Sequence, residues 1–167
     1  IVLLSGCVGF GEEYTRIEGF SNSDVGAVCL KGTTGQMRLG NPPHRVCETP
    51  DGMLNAIGLQ NPGVDTVVGE ILPGLDFSET RFIANVSGST IEEYEYVTKR
   101  FDDSVIDAIE INISCPNVKE GGVAFGNDPE MSARVVAACR RHTKKPLITK
   151  LSPNQTNIQE NARLCIE

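Results

Sequence analysis

Val105-Ile-Asp-Ala-Ile-Glu-Ile-Asn112-Ile-Ser-Cys115-Pro-Asn117 is the stretch from which the fold is read. The apolar run from Val105 to Ile111 predicts a buried strand over Val105–Asn112. Pro116 lacks an N–H for a sheet ladder, so the strand has ended before it. Two carboxamides, a hydroxyl and a thiol therefore crowd the C-terminal end of a strand, the place where α/β proteins carry their chemistry. A thiol titrates near ~8.5 and accepts a proton with modest tuning. Asparagine fixes a planar polar ligand without adding charge.

Outward from this strand, short apolar runs alternate with longer helical patterns. Strands are predicted over Ile1–Ser5, Gly26–Lys31, Arg81–Val86 and Pro146–Leu151, and helices over Glu12–Ser23, Gly63–Leu75, Thr90–Phe101 and Asp128–His142. A last helix begins at Thr156. The helix from Thr90 opens on a capping hydroxyl; the one from Asp128 has Pro129 at its first position and Glu130 in its first turn. Such alternation with near-continuous apolar strands indicates a parallel sheet. An open doubly wound sheet and a (β/α)8 barrel compete. The glycine loop after strand one, Gly6-Cys-Val-Gly9-Phe-Gly11, lacks the G-x-G-x-x-G spacing of a dinucleotide site. In a barrel, about five of the eight strands are present. Thr33–Asn61 is too long for a plain connection. Arg45–Glu48 and Met53–Ile57 about Thr49-Pro-Asp-Gly52 predict a hairpin excursion that walls the Cys115 face.

The 167 residues suffice for one domain with a core, and 40% hydrophobic with 22% charged residues is ordinary for a globular protein. A net charge of -7 argues against nucleic-acid or anionic-membrane surfaces. No apolar run is long enough to span a bilayer. The six cysteines are scattered, with no C-x-x-C, which argues against a disulfide framework or zinc and for a reducing, cytoplasmic setting. Strand-like sequence at Ile1 and helix-like sequence at Glu167 read as a piece of a longer protein, a partial barrel domain truncated at both ends.

The polar groups at strand ends are Ser5, Lys31, Asn85, Asn112 with Cys115 and Asn117, and Lys150 followed by Ser152. Asn55 and the backbone of Ile57, Gly58 and Leu59 come from the excursion. In a parallel barrel these converge on one mouth. Lysines and asparagines facing one cavity suit an anionic, planar ligand rich in carbonyl and N–H groups. His44 and His142 are isolated, so neither a metal centre nor a Ser/His/Asp triad is expected. In the loop after Cys115, Gly121 and Gly122 suit a hinge, with Val123, Ala124 and Phe125 as a pocket seal.

The chain resembles the catalytic flavoprotein of class 1 dihydroorotate dehydrogenases, and within them class 1B. The motifs are SGCVGFGEEY (Ser5–Tyr14), KGTT (Lys31–Thr34), GNPPHRVCETPDGMLNAIGLQNPG (Gly40–Gly63), NVSGST (Asn85–Thr90), EINISCPNVKEGGVAFG (Glu110–Gly126) and TKLSPN (Thr149–Asn154). The resemblance implies a (β/α)8 TIM barrel with FMN at its C-terminal mouth, oxidising (S)-dihydroorotate to orotate. It implies Cys115 as general base for the C5 proton. Lys31, Asn55, Asn112 and Asn117 become orotate ligands, with backbone contacts from Ala56, Ile57, Gly58 and Leu59. Ser5, Lys31, Gly32, Asn85, Asn112 and Lys150 become FMN contacts. It further implies a homodimer paired with an electron-transfer subunit carrying FAD and a [2Fe–2S] cluster and passing electrons to NAD. Leu4 departs from the family, which has a small residue there. The expectation for these 167 residues alone is that they neither close a barrel nor retain FMN. A uracil-reducing flavoprotein of the dihydropyrimidine dehydrogenase type, a class 1A enzyme using fumarate, and a catalytically silent barrel fragment are the competing readings.

Overall fold

The computed structural model describes residues 1–114, 123–155 and 157–166. Among them β1 (Val2–Leu3), β2 (Ala27–Cys29), β5 (Arg81–Val86), β6 (Ala108–Asn112) and β7 (Leu147–Lys150) form one five-stranded sheet. Every pairing is parallel, and the strands lie side by side in chain order. A doubly wound sheet reverses its strand order at a switch point; this one does not. The sheet is curled, with its helices outside, and forms about half of a (β/α) barrel wall.

The helices arise where the sequence supplies caps and a periodic apolar face. In α2 (Ile91–Asp102) the Thr90 hydroxyl accepts from Glu93 N at 3.2 Å, and Tyr94, Val97, Thr98 and Phe101 make the buried stripe. In α4 (Pro129–Arg140) the Asp128 carboxylate accepts from Glu130 N at 3.0 Å and Met131 N at 3.2 Å. Between sheet and helices lies the core: Val28, Leu30, Phe82, Val86, Ile109 and Ile111 pack on Tyr94, Val97, Phe101 and Val135. α4 packs in turn on α5 (Ile158–Ile166). The expected helix over Gly63–Leu75 is one helical passage of changing pitch: α1 (Val64–Thr66), a wide turn over Val67–Ile71 and a tight turn over Leu72–Gly74.

Two expected elements need correction. Glu12–Ser23 is not a helix; it holds only tight turns at Tyr14–Arg16 and Asn22–Asp24. Gly19 adopts φ +83 within it, and Ser21 and Asp24 close a capping box that belongs to the second turn. The strand expected from Val105 starts at Ala108. Val105 is exposed, and Asp107 is spent on Phe82 N at 2.9 Å and on Arg81.

The excursion is a hairpin as expected: β3 (Val46–Thr49) and β4 (Gly52–Asn55) pair antiparallel, Thr49 opposite Gly52. Every residue of both strands is exposed. At its base Arg38 and Asn61 exchange backbone hydrogen bonds of 2.9 and 3.0 Å. A short α3 (Val123–Gly126) precedes α4, and its Phe125 ring packs 6.2 Å from Tyr94. Phe125 is thus part of the core edge and not a seal over the cleft. Among the described residues no helix is long and apolar enough to cross a membrane.

Candidate active site

Alternation along a strand sends every second side chain to the face away from the helices. On β6 the outward positions are Ile109 and Ile111, and Glu110 and Asn112 face the inside. The register places Asn85 beside Glu110 and Lys150 beside Asn112. Lys31 follows β2 on the same inner face. At the C-terminal end of these strands opens a cleft of about 390 Å³. Ser5, Gly6, Lys31, Gly32, Asn112, Ser114 and Lys150 line it from the strand ends. Val46, Met53, Asn55, Ile57 and Leu59 line it from the hairpin side.

Its polar groups are ordered from the base upward. Glu110, 7% exposed, accepts from the Asn85 amide and lies 3.4 Å from the Cys29 thiol. Its carboxylate is 4.0 Å from the Lys150 ammonium. The Asn85 carbonyl accepts from Asn112 Nδ2 at 3.3 Å and from Ser87 Oγ at 3.4 Å. The Asn112 carbonyl accepts from Ser114 N at 3.2 Å and Ser114 Oγ at 3.1 Å. Behind them, Tyr94 Oη donates to the main-chain oxygen of Asn112 at 2.7 Å. Among the described residues no carboxylate pairs with Lys31, which lines the cleft. Asparagine amides with fixed faces and two lysines can grip a flat anion rich in carbonyl and N–H groups.

A flavin ring fits this donor set. At Gly32 an added Cβ would come within 2.8 Å of Leu59 Cδ1 and 2.9 Å of Asn85 Oδ1, so only glycine leaves this wall flat. The Gly6–Gly11 loop is no phosphate cradle, because the Glu13 carboxylate already takes Phe10 N at 3.0 Å and Gly11 N at 3.1 Å.

Of the site residues expected from sequence, Ser5, Lys31, Gly32, Asn55, Ile57, Leu59, Asn112 and Lys150 meet at this cleft. Asn85 lies behind its floor, fully buried. Ala56 and Gly58 belong to the same strap but do not line the cleft; the Ala56 oxygen accepts from Asn41 at 2.7 Å. Cys115 and Asn117, like Gly121 and Gly122, lie outside the described residues. Sequence reading gave no role to Glu110 or Ser114. A charged residue amid the apolar Ala108–Ile111 run was the available signal for the first.

Burial dominates the other thiols here. It pushes Cys29 up to about 12 and Cys139 to about 11, with the Glu110 charge adding to the first. Their ordinary value is 9.0, so the folded state holds these protons more tightly than the unfolded chain. Their contribution to stability is complete below about pH 9 and is lost as pH rises toward 11–12. Urea midpoints are expected to fall above pH 9, and less steeply in a Cys29→Ala, Cys139→Ala double variant. At pH ~8, iodoacetamide should modify exposed Cys7 and Cys47 and spare these two, as peptide mapping would read.

The family model for dihydroorotate dehydrogenase matches residues 1–166. A protein of Anoxybacillus flavithermus named dihydroorotate dehydrogenase B (NAD(+)), catalytic subunit, is 52% identical over 98% of this chain and 52% of its own length. Its namesake in Exiguobacterium sibiricum is 51% identical over the same shares. That of Petrotoga mobilis is 47% identical over the whole chain and 55% of its own length. The chain spans about half the length of the curated relatives it matches.

Proposed function

The chain belongs to the dihydroorotate dehydrogenase family, and on that premise we propose that it serves the oxidation of (S)-dihydroorotate to orotate in pyrimidine synthesis, with FMN as cofactor. The observation that carries this reading is the cleft itself: Lys31, Asn55, Asn112 and Lys150 come from four separate elements to one strand-end mouth. Orotate is anionic, planar and edged with amide groups, and so matches that donor set.

In this reading Lys31, Asn55, Asn112 and Asn117 hold the substrate, with Ile57 and Leu59 of the strap against its edge. Ser5, Lys31, Gly32, Asn112 and Lys150 serve the flavin, and Asn85 supports Asn112 from behind the floor. Cys115 removes the C5 proton as general base. The C6 hydrogen leaves as hydride and a C5=C6 double bond forms, so the substrate loses one proton and one hydride. Bound FMN supplies the hydride acceptor; the chain supplies position and electrostatics. The relatives' names carry both NAD(+) and "catalytic subunit". They support a chain that works beside a second subunit and with NAD as electron acceptor. That this subunit carries FAD and a [2Fe–2S] cluster, and that the catalytic chains form a homodimer, is the part of the proposal that rests on the family resemblance alone. Free thiols at Cys7, Cys29, Cys47, Cys139 and Cys165 fit a reducing, cytoplasmic setting.

The test is an anaerobic visible spectrum of the full-length protein before and after dihydroorotate. The expected result is flavin absorbance that bleaches with dihydroorotate and is unchanged by dihydrouracil. Bleaching by dihydrouracil instead would assign a uracil reductase, and a colourless protein would overturn the flavoenzyme reading.

A further inference from the structure

Burying a carboxylate inside a sheet is costly unless charge and hydrogen bonds compensate it. Its neighbours on the same strand, Ala108, Ile109 and Ile111, are the buried apolar residues a wall requires. Glu110 instead meets groups from three other strands: the Asn85 amide on β5, the Cys29 thiol on β2 at 3.4 Å and the Lys150 ammonium on β7 at 4.0 Å. Two consequences follow. As an obligate acceptor, the carboxylate takes the Asn85 N–H, so the Asn85 oxygen must face Asn112, and the Asn112 oxygen must face Ser114. And the cleft has a buried negative charge beneath one of its two lysines.

We infer that Glu110 is a positioning residue: it fixes the direction of the Asn85–Asn112–Ser114 chain, and as counter-ion of Lys150 it sets how readily a flavin in the cleft accepts electrons. The inference rests on the flavin part of the reading above and not on the identity of the substrate. Reduction adds negative charge to a flavin, and charge beside the ring tunes that step. The Lys150 ammonium favours the reduced form; Glu110, by pairing with it, holds that help back. Glu110→Gln keeps an acceptor oxygen for Asn85 and removes the charge. The flavin of this variant should therefore be easier to reduce.

The experiment equilibrates the full-length flavoprotein anaerobically with a redox dye of known potential and reads the flavin spectrum. At a fixed dye ratio, Glu110→Gln is expected to raise the ratio of reduced to oxidised flavin by about tenfold. In a Lys150→Met background the same substitution should change it by less than about threefold, because the ammonium through which Glu110 acts is gone. A change under about threefold where Lys150 is retained, or equal changes with Lys150 and with Met at that position, overturns the inference. If Glu110→Gln does not fold, Glu110→Asp draws the charge back from Lys150 and should shift the ratio the same way; no shift overturns the inference. A wild-type flavin indifferent to dihydroorotate would sink the substrate assignment, and the dye measurement would still decide Glu110. A full-length protein without flavin sinks both.

Discussion

On the proposed function, Asn112→Ala in the full-length protein is expected to lower kcat/KM for dihydroorotate about a thousandfold. The Asn112 amide links both halves of the polar chain. Its Nδ2 satisfies the fully buried Asn85 oxygen at 3.3 Å, and its Oδ1 holds the Ser114 turn at 3.1 and 3.2 Å. Alanine leaves the Asn85 oxygen with only the 3.4 Å contact from Ser87 and releases Ser114. Each such loss costs roughly 1–3 kcal/mol, and a hydrogen bond to a charged ligand is worth about 1.5–3. Together about 4 kcal/mol is at stake, which is three decades in rate. The fold should persist, because Tyr94 binds the main-chain oxygen of residue 112, which alanine retains. Steady-state kinetics beside a thermal melt would separate the two effects. Activity within about tenfold of wild type would remove Asn112 from the proposed substrate grip.

The largest stability effect is expected at Tyr94. Its ring is fully buried in the core, packs against Phe125 at 6.2 Å, and carries the hydroxyl that reaches the site at 2.7 Å. Tyr94→Ala should cost about 4 kcal/mol by removing an aromatic ring from a packed wall. Tyr94→Phe keeps the ring and should cost about 1–2 kcal/mol, the penalty for an orphaned hydrogen bond. With a urea slope of about 2 kcal/mol/M the midpoints would fall by about 2 M and under about 1 M respectively. Equal losses for the two variants would mean that the hydroxyl, and not the ring, holds α2 against the site.

What could be read in advance follows a physical division. Arg81–Val86 emerged with the expected ends because Phe82, Ile83 and Val86 suit a strand between a charged start and a polar exit. The caps at Thr90 and Asp128 were equally legible, since a cap is a local event of a few residues. Strand-end polar residues could be gathered into one site because parallel strands point the same way. The Glu12–Ser23 segment was misread because Glu13, written like a helix residue, folds back onto the glycine loop before it. Glu110 stayed silent for a different reason: its partners Cys29, Asn85 and Lys150 are far from it in sequence and meet only through sheet register. The burial of Asn85 was hidden likewise, since nothing local tells a strand-end amide that lines a cleft from one that supports it.

The bare hairpin has a dynamic consequence. A two-stranded ribbon exposed on every residue has little apolar surface to hold it and is marginal by itself. Its amide protons should exchange with solvent far faster than those of β5 and β6, through openings that leave the barrel wall intact. Since Val46, Met53 and Asn55 form one side of the cleft, each such opening also unroofs it. Ligand traffic can then run on the clock of a small local unit while the rest of the sheet stays closed.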